Sequence, residues 1–128
     1  MIKINKTLFI IGIIFVIIMS IFFTIMDKKH INNLNKEYSI CLADAKNENA
    51  IIIEKRDWHG TYFIKLLNGN KYWVPDSRNY DYEEYDIEDY LVNGNTIVKK
   101  RGIDSLWIIT PKGKFVFIIS RNINKNKR

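Results

Sequence analysis

A single transmembrane helix followed by one all-β domain is the fold class that this sequence predicts. Two observations carry the expectation. One is an uncharged apolar run over residues 8–26. The other is a series of short alternating stretches from residue 38 onward, separated by Asn, Gly and Pro turns. The β part reads as a meander of about six to seven strands closing into a small barrel or sandwich.

Residues 1–7 form a short basic N-tail carrying Lys3 and Lys6. The apolar run LFIIGIIFVIIMSIFFTIM follows, and only Gly12, Ser20 and Thr24 are small or weakly polar within it. As a helix rising about 1.5 Å per residue, it covers roughly the hydrocarbon core of a bilayer. A helix belongs there because it satisfies its own backbone polar groups. A cleaved secretory signal has an apolar core of about 7–15 residues and then small residues at the cleavage site. This core is longer and runs into Asp27-Lys28-Lys29-His30, while Ala43-Asp44-Ala45 lies too far downstream. Cys41 follows Tyr38-Ser39-Ile40, which does not fit a lipoprotein signal. The run is therefore expected to be an uncleaved, single-pass signal anchor, with the lipid bilayer as partner. Lys3 and Lys6 before it and Lys28, Lys29 and Lys36 after it do not choose a side. A short basic tail before one apolar run is the signal-anchor arrangement, and long domains translocate largely regardless of charge. That arrangement predicts a cytoplasmic N-terminus with the β domain outside the cytoplasm. Ser20 and Thr24, four apart, could pair with a second helix, whereas Gly12 is followed four residues on by Val16.

The remaining length suits one domain. The lone cysteine excludes an internal disulfide framework and a Cys-based zinc site. The net charge of +6 rests on lysines spread through an Ile-, Asn- and Lys-rich chain, so single surface lysines carry little weight.

Residues 27–37 read as a polar juxtamembrane stalk, and residues 38–120 as the β domain. Tyr38, Ile40 and Leu42 alternate with smaller or more polar residues, predicting a first strand. The β-branched run Ala50-Ile51-Ile52-Ile53-Glu54 predicts another, and residues 56–60 a turn. Tyr62, Ile64 and Leu66 alternate up to Asn68-Gly69-Asn70, a hairpin signal because Asn and Gly accept positive φ. The return through Lys71-Tyr72-Trp73-Val74 stops at Pro75, which cannot donate to a ladder. Later strands are expected at residues 96–100, 105–109 and 114–119, with turns at residues 93–95, 101–104 and 111–113. Trp73, Trp107, Phe115 and Phe117 are the expected core aromatics. Several strands are apolar on both faces, so part of one face is expected to meet a second layer or a partner. Residues 121–128 read as a basic, disordered tail.

Tyr62-x-Ile64-x-Leu66-x-Asn68-Gly69-x-Lys71-Tyr72 is followed by an acidic connector bearing tyrosines. Then comes Gly94-Asn95-x-Ile97-x-Lys99-Lys100-x-Gly102-x-Asp104-Ser105-Leu106-x-Ile108. This pattern resembles a group of small bacterial envelope-associated proteins that pair an N-terminal membrane segment or lipid anchor with one β domain. Asn95 and Thr96 stand where that group commonly has Asp and Ser. The resemblance spans residues 38–119. It implies a β fold and an envelope location, and it carries over no catalytic residue.

The connector, residues 76–90, is the most unusual piece of the β domain. Asp76, Asp81, Glu83, Glu84, Asp86, Glu88 and Asp89 stand against Arg78 alone, a local charge of −6. Tyr80, Tyr82, Tyr85 and Tyr90 interleave with them. One reading is a solvated loop in which Tyr85, Ile87 and Leu91 pack inward. The other is partner docking through Tyr80, Asp81, Tyr82, Glu83, Glu84 and Tyr85, since Tyr is enriched at interfaces. A calcium loop is disfavoured, because Arg78 breaks the alternating oxygen ligands and no Gly follows.

His30 and His59 have no paired ligand spacing. Cys41 on a strand reads as buried rather than reactive. No nucleophile–base pair, phosphate-binding Gly loop or metal signature is present, so no catalytic residue, metal or cofactor is expected. The sequence thus predicts a non-enzymatic interaction or accessory module of the cell envelope whose partner could be another envelope protein, with no nucleic acid expected. The alternative is a cytoplasm-facing binder of nucleic acid or anionic surfaces, using a small β-barrel, its basic tail and an outward Trp58 or Tyr62 stacking platform.

Overall fold

The computed structural model describes residues 5–127, so Lys3 and Arg128 lie outside the described residues. The chain divides into two units, one ending at Asn35 and one beginning at Lys36.

The first unit is helical. α1 (Lys6–Glu37) is a single 32-residue helix. Asn5 caps it: its Oδ1 accepts from the Thr7 N–H at 3.0 Å, satisfying one of the orphan donors of the first turn. No residue of its apolar window is buried, and its length and composition suit a membrane span or a signal sequence. The Ser20 hydroxyl donates to the Val16 carbonyl and the Thr24 hydroxyl to the Ser20 carbonyl, both at 2.9 Å. Both hydroxyls are therefore satisfied within their own helix. Residues 27–37, read as the stalk, are helical throughout and continue α1 to Glu37. Neither Gly nor Pro interrupts them, and extending a formed helix needs no new nucleus.

The second unit is built on one six-stranded antiparallel sheet. Its strands are β1 (Glu48–Trp58), β2 (Thr61–Leu66), β3 (Lys71–Val74), β5 (Thr96–Lys99), β6 (Ser105–Thr110) and β7 (Gly113–Ile118). β4 (Arg78–Asn79) and β8 (Asn122–Ile123) form a separate short parallel ladder. The order in the large sheet is β3-β2-β1-β5-β6-β7. β1 is 11 residues long and serves both halves. Residues 48–51 pair with β5, and from Ile52 to Trp58 it pairs with β2, with a bulge between Ile52 and Glu54. The bulge shifts the strand's register where it changes partner.

The closed barrel is not formed: β3 and β7 are edges and do not meet. At β7 the place of a further strand is taken by connector side chains. The Val116 N–H donates to the Tyr82 hydroxyl and the Asn79 amide donates to the Val116 carbonyl, each at 2.9 Å. At β3 a single bridge from Cys41 to Trp73 covers the edge, and Pro75 ends the strand.

The expected first strand is also corrected. Residues 42–44 form a 3-10 turn (Leu42–Asp44). Tyr38, Leu42 and Ala45 are buried while Ile40 is exposed, a spacing of four and three rather than two. The predicted turn at residues 56–60 shrinks to His59 and Gly60, with φ of 48° and 84°. Such a two-residue turn with positive φ at both positions matches the strand twist, so β1 extends through Trp58.

The core is aliphatic more than aromatic. Leu42, Ile52, Ile64, Leu66, Ile87, Leu91, Ile97, Leu106, Ile108 and Phe117 are fully buried. Of the four expected core aromatics only Phe117 is. Trp73 and Phe115 are half-buried, and Trp107 is 38 % exposed. Leu106 and Ile108 point inward, so period-two alternation forces Trp107 outward.

The disordered tail is corrected too. β8 pairs with β4, the Arg78 N–H donates to the Arg121 carbonyl, and the Tyr80 N–H donates to the Ile123 carbonyl, both at 3.0 Å.

Candidate functional site

The connector is held in place before it can present anything. Ile87 and Leu91 sink into the core. Asp86 caps the 3-10 turn Ile87–Tyr90 by accepting from the Glu88 N–H at 3.1 Å. Asn79, 2 % exposed, is the hub. Its amide donates to Val116, and its Oδ1 accepts from the Asp81 N–H at 3.0 Å and from the Asn124 amide at 2.9 Å. Ser77, fully buried, accepts from the Ser120 N–H at 2.9 Å. These bonds tie the connector to β7 and to the C-terminal segment.

So positioned, the connector and the β6–β7 turn enclose a cleft of about 610 Å³. Tyr82, Tyr90 and Phe115 line it, and beneath them lies Phe117. Tyr82 stands edge-on to Phe115 at 5.0 Å between ring centres, and Tyr90 lies 4.7 Å from Phe115. The Tyr90 hydroxyl donates to the Glu84 carbonyl at 2.7 Å, so ring packing and backbone fix each other. Burial, and then the nearby Glu84 carboxylate, hold the Tyr90 phenol above its ordinary pKa. Asp81, Glu83, Glu84 and Asp89 also line the cleft, against one cation, Lys112. Val92, Asn95, Thr110 and Pro111 complete it.

Of the six predicted docking residues, Asp81, Tyr82, Glu83 and Glu84 share this cleft. Tyr80 and Tyr85 do not line it. They stack on each other at 4.7 Å, with the Arg78 guanidinium 5.8 Å from the Tyr85 ring. Asp89 and Tyr90 line the cleft too, and they belong to the connector but lie outside the six residues predicted to dock. Phe115 is an expected core aromatic that packs against the core and also faces the cleft, and nothing local brings the 110–112 turn to residues 81–84.

Arg78 lies 3.3 Å from Asp76 and 3.9 Å from Asp86. Burial and then the Asp86 carboxylate raise the Asp76 pKa, and Arg78 opposes them. Among the described residues no group of three or more His, Cys, Asp or Glu side chains is arranged to hold a metal ion. Cys41 is half-buried, and burial pushes its thiol up, away from thiolate chemistry. Tyr62 is buried, so of the two alternatives named for a stacking platform only Trp58 is partly exposed. Trp58 stands edge-on to His59 at 4.6 Å.

A second polar centre lies elsewhere in the sheet, beside a cavity of about 390 Å³. Glu48, 5 % exposed, accepts from the Asn68 amide at 2.8 Å, the Asn70 amide at 2.6 Å and the Tyr72 hydroxyl. The carboxylate thereby ties the β2–β3 turn to the start of β1.

No protein-family model, curated protein or solved structure matches this chain.

Proposed function

We propose that this chain is a single-pass membrane-anchored, non-enzymatic interaction module of the bacterial cell envelope. Its β domain stands outside the cytoplasm and its acidic cleft docks a basic segment of a partner protein. The observation that carries the reading is the cleft itself: four carboxylates against one ammonium, lined by aromatic rings and anchored to the sheet edge. Aromatic rings supply apolar area to an interface, and the carboxylates steer and select a cationic partner. The apolar α1 supports the anchor. The likeness of residues 38–119 to small envelope-associated proteins supports the location.

The full chain in nanodiscs is titrated with a Lys/Arg-rich peptide at rising salt. Binding is expected to weaken with ionic strength, because exposed charges are screened beyond a Debye length. In D81N/E83Q/E84Q/D89N it should fall by about tenfold or more. Equal binding by the variant, or none at low salt, removes the docking reading. Protease added to spheroplasts should digest the β domain, and protection there would turn the topology round.

A further inference from the structure

We propose that the outer face of the β1-β5-β6-β7 half-sheet is a docking surface for an anionic lipid surface. The proposal rests on the anchored reading and applies on either side of the bilayer.

Cross-strand register defines that face. Ile51, Thr96, Ile109 and Lys114 form one row across the four strands, and Asn49, Val98, Trp107 and Val116 form the next. Directly opposed residues share a face, so these side chains all stand away from the core. Ile51, Trp107 and Ile109 are each about two-fifths exposed. The other half-sheet differs: there Phe63 is buried against the Tyr38 ring at 5.3 Å.

Charge decides the occupant. No carboxylate stands in either row. The one charged side chain is Lys114, whose ammonium lies 4.4 Å from the Trp107 ring centre. Lys100 and Arg101 stand exposed in the flanking β5–β6 turn beside one acid, Asp104, whereas Lys112 in the β6–β7 turn belongs to the acidic cleft. Two copies packed face to face would bring Lys114, Lys100 and Arg101 toward their counterparts with only Asp104 to offset them. An anionic headgroup layer instead accepts the cations, while the indole and aliphatic side chains enter the interface. Trp favours that zone, and long Lys side chains reach outward from it. Each such cation near an anionic surface multiplies docking by roughly fivefold. A chain held at the bilayer also turns weak contact into an intramolecular equilibrium.

The test reconstitutes the full chain in phosphatidylcholine vesicles with or without phosphatidylglycerol, in both cases with lipids brominated near the headgroup. Tryptophan quenching is compared between the native chain and Trp107→Phe, so that the difference reports Trp107 alone. The expected result is an excess of quenching in the native chain that requires phosphatidylglycerol and falls with salt. Lys114→Glu should lower the docked-to-free ratio by roughly fivefold or more. Equal quenching of the native chain and Trp107→Phe, in a chain that resists carbonate extraction, overturns the proposal and leaves the anchor standing. Shielding of Trp107 that disappears as protein is diluted in lipid marks a second copy as the occupant, and also overturns it. Release of the chain by carbonate overturns the anchor reading, and the proposal with it.

Discussion

Glu48 and Asn79 are both almost completely buried polar side chains, yet they organise different amounts of the molecule. Glu48 is charged and is satisfied by three donors from one hairpin, at residues 68, 70 and 72. Asn79 is neutral and uses both ends of its amide, on β7, on the backbone after Tyr80 and on Asn124. The first locks a local piece of sheet. The second joins the connector to β7 and to the C-terminal segment, 37 and 45 residues further along the chain, and the cleft depends on those links. A buried charge needs many donors close at hand, whereas one amide can bridge because donor and acceptor point apart.

Glu48→Leu should have the largest effect. It leaves the buried Tyr72 hydroxyl and two turn amides without their acceptor. A loss of about 3 kcal/mol is expected in urea unfolding. Asn79→Ala should cost about 2 kcal/mol. Hydrogen exchange should quicken mainly over residues 76–91 and 121–124, together with loss of peptide binding, while the β1–β2 ladder stays protected. If that ladder exchanges as fast, the two centres are not separable. Tyr72→Phe removes one donor from Glu48 and should cost about 1 kcal/mol, without changing the cleft.

The smallest effect concerns pH. The folded state raises the Asp76 carboxyl, so it binds that proton more readily than the unfolded chain does. This contribution favours folding in acid and is lost as pH rises through the window just above the ordinary Asp range. Asp76→Asn should therefore gain on the native chain across that window and hold its gain at neutral pH. The effect should be modest, because the side chain is 41 % exposed and water screens it. A gain that appears only in acid would reverse the sign and contradict this account.

Features carried by a few adjacent residues were legible in the sequence. The apolar helix, the Asn68-Gly69-Asn70 turn and the stop at Pro75 need only local chemistry. The acidic tyrosine-bearing segment was legible as a candidate site, and four of its six named residues do line one cleft. The second wall was not legible, because residues 110–115 reach residues 81–84 only through the β6–β7 pairing and the bonds of Asn79 and Tyr82. The tail looked disordered because Asn122 and Ile123 reveal no strand without β4 beside them. Tyr38 to Leu42 misled through apparent alternation, although Ile40 is exposed. Trp107 misled through its size, since the period of β6 places it opposite the core.

Tyr82 and Asn79 also guard β7 against polymerisation. An uncovered edge strand is a template on which another chain can add. With the chain anchored as proposed, copies are confined to two dimensions, where they meet often. Here one phenol and one amide occupy the N–H and carbonyl at Val116, and both belong to the segment that shapes the cleft. Any partner that levered the connector off the sheet would also expose a nucleation site for fibre growth. The proposed docking therefore has to work with the connector seated.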